Sequence, residues 1–309
     1  MSFSYDVKTE LCNDAVENAF EKKAEIYGLL LFGRSLTQAS IVLQTEHDGV
    51  AKVAEQLLCE LYNIIPLRKL SGRADGHDLI TLSVENRTEA LEVYHSLGYD
   101  DRTISLRINR ANIENESDMP AFIRGAYLSC GTIENPGKNY HMEFVTPFLN
   151  LSRDLLFMLV EIGFEPKSVT RKGNYIVYFK ESEQIEDLLT YMGAAHQSLE
   201  LMNIKVYKDL RNKANRVTNC ETANISKTVN ASTMQVEAIK SLRRLKGLAA
   251  LPEELREIAQ LRIDNPDVSL RELGALMKPP LSRSGVNHRL RKITELAKKV
   301  KEKNKSKYT

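Results

Sequence analysis

Apolar residues recur along the first two-thirds of the chain in two similar series. The segments Ala24–Ser35 and Ala121–Ile133 are both apolar, with a glycine in their first half and small residues near their end. Aligning Gly28 with Gly125 gives a repeat of 97 residues and also aligns other apolar runs of the two series. A repeat at fixed spacing predicts a duplicated architecture. Because small residues allow helices to approach closely, we expect these two segments to pack together about a pseudo-twofold axis.

Each half is predicted to contain a helix, a strand, a helix, a hairpin and a helix in that order. In the first half these elements are Lys22–Phe32, Gln38–Thr45, Gly49–Asn63, Ile65–Leu70 with Asp78–Val84 around a turn at 72–76, and Arg87–Leu97. In the second half they are Asp118–Cys130, His141–Thr146, Leu149–Ile162, Lys167–Arg171 with Tyr175–Lys180, and Glu183–Met192. An amphipathic helix over Asp6–Phe20 precedes them, and Arg102–Arg110 fits either a strand or a linker. This pattern predicts an α+β domain over residues 1–202, with halves of about 1–98 and 117–202.

Charge is divided unevenly along a chain whose composition, 42% apolar and 27% charged, is otherwise ordinary. Residues 1–202 carry 19 Lys and Arg against 30 Asp and Glu, a net charge of −11. Residues 203–309 carry 24 against 11, a net charge of +13. Such asymmetry suggests a polyanionic partner for the basic part. The alternative is a solvated basic tail without a polyanionic partner. The choice between these two interpretations depends on whether residues 203–309 also contain an element that reads nucleic acid.

Several function classes are not indicated. The four cysteines form no CxxC pair and the six histidines are scattered, so we expect neither a zinc site nor a disulfide framework, and no cofactor. The first ten residues contain two acids and no apolar core, unlike a signal peptide. No apolar run approaches the ~18 residues that a membrane span needs. We therefore expect a cytoplasmic protein without a membrane partner.

Residues 203–230 are predicted to form a basic, mostly exposed linker helix. Lys, Arg and Asn are dense from Lys205 to Lys227, and Val206, Leu210 and Val217 give only a thin apolar stripe. A solvated linker and direct contact with phosphates explain this segment equally well.

Short helices with clear start and stop signals are predicted over residues 231–297. Ser232–Gln235 and Ser269–Glu272 both have the form of a capping box. Pro252 opens a helix between them, and Lys278–Leu281 forms a turn before a last helix whose Val286, Leu290, Ile293 and Leu296 face inward. A short helix, a tight turn and a helix with a polar outer face predict a helix-turn-helix, whose second helix enters the major groove of DNA. The alternative is an ordinary amphipathic helix in a protein–protein bundle.

The outer face of this last helix carries the candidate base-reading residues, Ser284, Asn287, His288 and Arg291. Their spacing places them on one side, and Arg suits guanine, Asn suits adenine and Ser suits either. Five further cations are assigned to DNA phosphates, which position a protein without specifying sequence: Arg283, Arg289, Lys292, Arg271 and Lys278. Gly285 would permit close approach to the duplex. The basic tail 298–309 is expected to be disordered and to add non-specific attraction.

The two repeated segments resemble the LAGLIDADG helices of the homing endonucleases. In that family two such helices pack at the seam of a pseudo-symmetric pair of αββαββα halves, and an acidic residue at the end of each helps to hold a catalytic metal. Laying Gly28–Ser35 and Gly125–Thr132 on the motif puts Gly33 and Cys130 at the acidic positions. Neither can coordinate Mg²⁺, which prefers hard oxygen ligands. The resemblance therefore implies a nuclease-derived scaffold without nuclease activity, and a nuclease using other acids is the enzymatic alternative.

A degenerate LAGLIDADG-like domain followed by a helix-turn-helix resembles the bacterial WhiA family over the whole chain. The likeness is carried by Ala121–Gly131, Asn215–Asn224 and Ser284–Lys292. It implies a DNA-binding, non-enzymatic protein of Gram-positive bacteria, since family members act in sporulation-linked transcription or in cell division and chromosome segregation. We accordingly expect double-stranded DNA as partner and association with the nucleoid. The acidic N-terminal domain would respond to a protein partner, a ligand or self-association. An adaptor whose basic domain binds an acidic protein is the third possibility.

Overall fold

The chain folds into two compact units, residues 1–209 and 210–309. The structure, a computed structural model, describes residues 2–14, 16–72 and 78–305. The turn expected at 72–76 therefore lies mostly outside the described residues, as does the end of the basic tail.

The first unit contains the same series of elements twice, after an opening helix α1 (Phe3–Asn13). The first series is α2 (Ala19–Leu31), β1 (Ser35–Leu36), β2 (Ile41–Thr45), α3 (Asp48–Tyr62), β3 (Leu67–Gly72), β4 (Asp78–Val84) and α4 (Arg87–Ser96). The second is α5 (Asp118–Cys130), β5 (Gly131–Ile133), β6 (Met142–Thr146), α6 (Leu149–Glu161), β7 (Lys167–Arg171), β8 (Asn174–Phe179) and α7 (Ser182–Tyr191). The antiparallel sheets have matching orders, β1-β2-β4-β3 and β5-β6-β8-β7. The predicted duplicated α+β fold is thus confirmed.

Helices α2 and α5 pack backbone to backbone along the seam between the halves. Residues Ala24 to Leu31 of α2 are all buried, as are Ala121 to Leu128 of α5. A Cβ atom on Gly28 would lie 2.3 Å from the Phe122 carbonyl oxygen, and one on Gly125 would lie 2.0 Å from the Glu25 carbonyl oxygen. Only glycine fits at these two crossing points, so the repeated glycines are what allow the halves to join.

A buried ion pair lies within the same seam. Arg124 of α5 places its Nε 3.0 Å from Oε1 of Glu25 in α2, and both side chains are almost fully buried. Arg124 also donates to the carbonyl oxygens of Leu11 and Asp14, at the end of α1. Burial raises the pKa of the Glu25 carboxyl, while the neighbouring Arg124 acts in the opposite direction. One guanidinium therefore holds both seam helices and the opening helix together.

Several predicted boundaries in this unit were wrong. The opening helix ends at Asn13 rather than Phe20, because Asn18 caps a new helix by accepting from the Phe20 backbone N–H at 3.0 Å. Of the two alternatives left open for 102–110, the structure agrees with the linker, since no strand forms and the segment is irregular apart from a 3-10 turn at Arg110–Asn112. The short strands β1 and β5 could not be located from the residue pattern, because two or three residues show no period, but they complete the αββαββα halves that the LAGLIDADG resemblance implies.

The second unit is all α-helical. It comprises the C-terminal part of α8 (Ala195–Lys246), a 3-10 turn (Leu248–Ala250), α9 (Glu253–Asp264), α10 (Leu270–Ala275) and α11 (Arg283–Lys305). Its core is contributed by all four helices and includes Ile239, Leu242, Leu255, Ile258, Leu273, Val286, Leu290 and Ile293. This arrangement confirms the predicted helix-turn-helix domain.

Helix α8 runs without a break through the boundaries expected at 202 and 230. The prediction that a separate helix begins at Ser232 was wrong, because the Ser232 hydroxyl donates to the Pro266 carbonyl oxygen instead of capping a helix. The prediction that the tail is disordered was also wrong for residues 298–305, which continue α11. There Val300 packs against the core, so the inward stripe of α11 extends beyond Ala297.

Candidate nucleic-acid interface

A reciprocal cap starts helix α10. Ser269 Oγ accepts from the Glu272 backbone N–H at 3.3 Å, and Glu272 Oε2 accepts from the Ser269 backbone N–H at 2.8 Å. The predicted capping box is therefore confirmed here. Hydrogen bonding of the carboxyl to Ser269, first of all to its backbone N–H, lowers the pKa of Glu272, so the carboxylate that accepts this bond is ionised at neutral pH.

The turn from α10 to α11 is fixed by a close backbone approach. Leu281 N–H donates to the Gly274 carbonyl oxygen at 2.9 Å, and a Cβ on Gly274 would lie 2.2 Å from the Leu281 carbonyl oxygen. The Lys278–Pro279 peptide bond within the turn is cis. The backbone N–H of Lys278 donates to Glu257 Oε1 of α9 at 3.1 Å. Sequence reasoning missed Gly274, although a glycine near a helix end before two prolines was a usable signal.

A second missed residue is Arg262, which braces the loop before α10. Its side chain is 2% exposed and donates to the carbonyl oxygens of Val268 at 2.8 Å and Pro266 at 3.4 Å. Burial lowers the pKa of this guanidinium. An Arg at the inward spacing of α9, four residues after Ile258, was the signal available in the sequence.

Helix α11 presents one apolar and one polar side. Val286, Leu290 and Ile293 are at most 1% exposed, as predicted, but Leu296 is 36% exposed and does not face inward. Ser282 Oγ caps the helix by accepting from the Gly285 backbone N–H at 3.2 Å. The apolar side fixes the rotation of α11, so its opposite side faces outward.

The four candidate base-reading residues all lie exposed on this outer side. Asn287 and His288 have no hydrogen-bond or ion-pair partner among the residues that the structure describes. The hydroxyl of Ser284 is 3.0 Å from that of Ser282. Arg291 Nε is 3.1 Å from Oε1 of Glu295, one turn further along the same side. The helix thus offers two free polar side chains and two that are loosely engaged.

The five cations assigned to phosphates divide into two groups. Arg283, Lys292, Arg271 and Lys278 are exposed, and no carboxylate of residues 2–14, 16–72 or 78–305 lies within ion-pair distance of them. Arg289 is different, since it is half-buried and its Nη1 donates to the Glu254 carbonyl oxygen at 3.2 Å. This contact ties α11 to α9 and turns the guanidinium away from the polar side of α11.

The seam ends that correspond to the metal site of a LAGLIDADG nuclease do not fit a divalent cation. Gly33 follows α2 and has no side chain, and Cys130 ends α5. Burial raises the pKa of the Cys130 thiol to about 12, so it is protonated at neutral pH. Lys8 Nζ donates to the Leu128 carbonyl oxygen at 3.1 Å at the same helix end, and burial lowers the pKa of this amine. Within the described part of the chain, no three His, Cys, Asp or Glu side chains are grouped to hold a metal ion.

Hydropathy of the helices gives one further finding. None of those that the structure describes combines the length and apolar character required to span a bilayer.

The chain is similar to known proteins over almost its whole length. Residues 119–211 match the WhiA LAGLIDADG-like domain and residues 214–297 match the WhiA C-terminal HTH domain. "Probable cell division protein WhiA" of Thermoanaerobacter pseudethanolicus is 42% identical, with 98% of this chain and 99% of that protein covered. The protein of the same name from Clostridium perfringens is 40% identical, with 97% and 99% covered. The crystal structure of full-length DUF199/WhiA from Thermatoga maritima matches with a TM-score of 0.55 at 23% identity, covering 97% of this chain and 99% of that one.

Proposed function

This chain belongs to the WhiA family, and from that premise we propose that it binds double-stranded DNA by inserting α11 into the major groove. The observation that carries the proposal is the polar side of α11, where Asn287 and His288 are exposed and free of partners among the described residues. Its relatives are named probable cell division proteins. We infer a role in cell division and chromosome segregation, in transcription regulation, or in both, at the nucleoid in the cytoplasm.

Base reading and anchoring are assigned to different residues. Ser284, Asn287, His288 and Arg291 would contact base edges, because amide, hydroxyl and guanidinium groups match the pattern of donors and acceptors in the major groove. Arg283, Lys292, Arg271 and Lys278 would contact phosphates, which supply affinity without specificity. Arg289 would act mainly by holding α11 against α9.

We propose that the protein is not a nuclease. The seam positions that hold acids in LAGLIDADG nucleases are Gly33 and Cys130, and Lys8 Nζ donates to the Leu128 carbonyl oxygen at the same end of α5. The names of the curated relatives mention no enzymatic activity.

The acidic N-terminal unit would instead bind a protein partner or a ligand. A cavity of about 790 Å³ between its halves is lined by polar and apolar side chains, among them Arg34, Ile104, Phe148, Asn150 and Tyr175. This volume suits a small molecule.

The test is binding of the full chain to mixed duplex DNA over a series of salt concentrations, with and without Mg²⁺, followed by selection of preferred sequences. We expect a steep salt dependence, sequence preference and no cutting. Arg291→Ala should lose roughly 1–3 kcal/mol on preferred sequences and relax the preference. Equal affinity of Arg291→Ala and the unaltered protein for every sequence would contradict base reading by α11. Mg²⁺-dependent cleavage that a single carboxylate substitution abolishes would establish the nuclease alternative.

A further inference from the structure

A long stretch of α8, residues 209–231, is helical with every residue exposed to solvent. We call it the exposed span. On its C-terminal side, α8 joins the helix-turn-helix core, where Ile239 is 0% and Leu242 is 5% exposed. On its N-terminal side, the Lys205 ammonium is 2.6 Å from Glu183 Oε1. Residues on both sides of the exposed span therefore contact other parts of the protein, while the span itself is exposed to solvent.

The composition of the exposed span does not support a free-standing helix. More than half of its residues are Asn, Thr, Ser, Val, Ile or Cys, which favour helices less than Ala, Leu, Lys or Glu. No ion pair lies within it in the part of the chain that the structure describes. Its apolar residues Val217, Ile225 and Val229 are exposed to solvent, and a mostly polar helix without ion pairs or tertiary packing is not stable alone. A binding partner would supply the missing stabilisation.

Six uncharged polar residues of the exposed span follow each other at intervals of three or four. They are Asn212, Asn215, Asn219, Thr222, Ser226 and Asn230, and we call them the amide stripe. This spacing puts all six on one side of the helix. At ~1.5 Å per residue the stripe is about 27 Å long. It therefore offers one continuous polar surface.

Charges around the amide stripe favour a polyanion. Arg211 lies four residues before Asn215, and Arg216 lies four after Asn212, so each guanidinium borders the stripe. Neither has a carboxylate partner among the described residues. Glu221 is two residues from Asn219, about 200° away around the helix, and so lies on another side. The stripe itself holds no acid.

We propose that the amide stripe is a second contact surface for duplex DNA, carried by the same continuous helix that enters the helix-turn-helix core. The proposal rests on the DNA binding proposed above. Asn side chains pair with adenine, Ser and Thr hydroxyls contact bases or phosphates, and bordering Arg residues neutralise phosphates. A continuous helix that reads the major groove without a surrounding domain is an established geometry. Amides and hydroxyls can pair with base edges in the major groove, which an acidic protein does not offer, so duplex DNA is the favoured partner.

The first test compares Asn215 and Asn219 of the amide stripe with Asn224 outside it, in the full chain and on a duplex of about 40 base pairs, roughly four helical turns. Asn215→Ala with Asn219→Ala should weaken binding roughly 10-fold or more. Asn224→Ala is the matched control, because it removes the same group from the opposite side of the exposed span and should bind as the unaltered protein does. Alanine favours helix more than asparagine, so weaker binding cannot result from loss of the helix.

A second test uses the bordering cations. Arg211→Gln with Arg216→Gln should lower the slope of log affinity against log salt concentration by about 2, since each phosphate contact contributes about 0.9. Backbone amides of the exposed span should exchange hydrogen rapidly in free protein and slowly on DNA.

The outcomes separate the two proposals. If Arg291→Ala weakens binding but the stripe variants match the unaltered protein in affinity and salt slope, the second contact is refuted and the helix-turn-helix function stands. Equal losses of DNA affinity in Asn224→Ala and in the stripe variant would also refute a contact made by one side of the helix. If the unaltered protein binds no duplex DNA, both proposals fail.

Discussion

Replacement of Gly125 by alanine tests the seam directly. The added Cβ would lie 2.0 Å from the Glu25 carbonyl oxygen and 3.0 Å from the Leu29 nitrogen, whereas ordinary contact begins at 3.4 Å. Helix α2 would therefore have to retreat by about 1.4 Å, and because the obstacle is backbone no side chain can rotate to make room. Overpacking of this kind costs roughly 3 kcal/mol, at the upper end of the usual range. The gain in helix propensity from Gly to Ala offsets about 1 kcal/mol.

The net expectation for Gly125→Ala is a loss of about 2 kcal/mol in the stability of the first unit. For a unit of this size that lowers the melting temperature by roughly 4–8 °C. Calorimetry or thermal circular dichroism of the full chain would measure it. Gly285→Ala is the matched control, since its Cβ would meet Leu281 and Ser282 at an ordinary 3.5 Å. It should be neutral or slightly stabilising.

A Gly125→Ala protein that melts at or above the temperature of the unaltered protein would refute backbone-to-backbone packing of α2 and α5. The same substitution at Gly28, where the Cβ would lie 2.3 Å from the Phe122 carbonyl oxygen, should destabilise in the same direction.

Three further outcomes are expected. Glu295→Gln should tighten DNA binding about two-fold, because an exposed ion pair worth ~0.5 kcal/mol no longer competes for Arg291; weaker binding in fluorescence anisotropy would show instead that the pair positions Arg291. Ser269→Ala should destabilise the second unit by about 1 kcal/mol through loss of the cap on α10, and an unchanged urea midpoint would contradict that role. Burial lowers the pKa of His47 from 6.5, so its neutral form supports the fold fully above pH 6.5 and this support is lost as pH falls below that value. Melting scans from about pH 8 to pH 5 should show this loss, and His47→Asn should reduce it.

The sequence was most informative where one residue had a single physical reason to be present. Gly28 and Gly125 predicted the seam because a repeated glycine in an apolar helix indicates close approach. Val286 and Leu290 predicted the rotation of α11, and hence its polar side, because apolar spacing fixes which side is buried. These inferences needed only local pattern.

Local pattern failed where tertiary contacts decided the outcome. Ser232 and Ser269 begin similar capping-box sequences, yet the hydroxyl of Ser232 donates to Pro266 while that of Ser269 caps α10. The sequence assigned Arg289 to phosphates and gave Glu295 no role, because their contacts with Glu254 and Arg291 depend on how helices pack or on rotamers. The Lys-rich composition after Ala297 concealed Val300, which extends the buried stripe.

The contacts of Arg124 have a consequence for the order of events during synthesis. Its guanidinium closes the end of α1 at Leu11, 113 residues earlier in the chain. At ribosomal speeds of ~5–20 residues per second, that interval is on the order of 10 s. Throughout it, α2 has no α5 to cover its glycine-bearing side, so the nascent first half carries an uncovered apolar helix. A chain that ends between the two halves is therefore expected to be prone to aggregate.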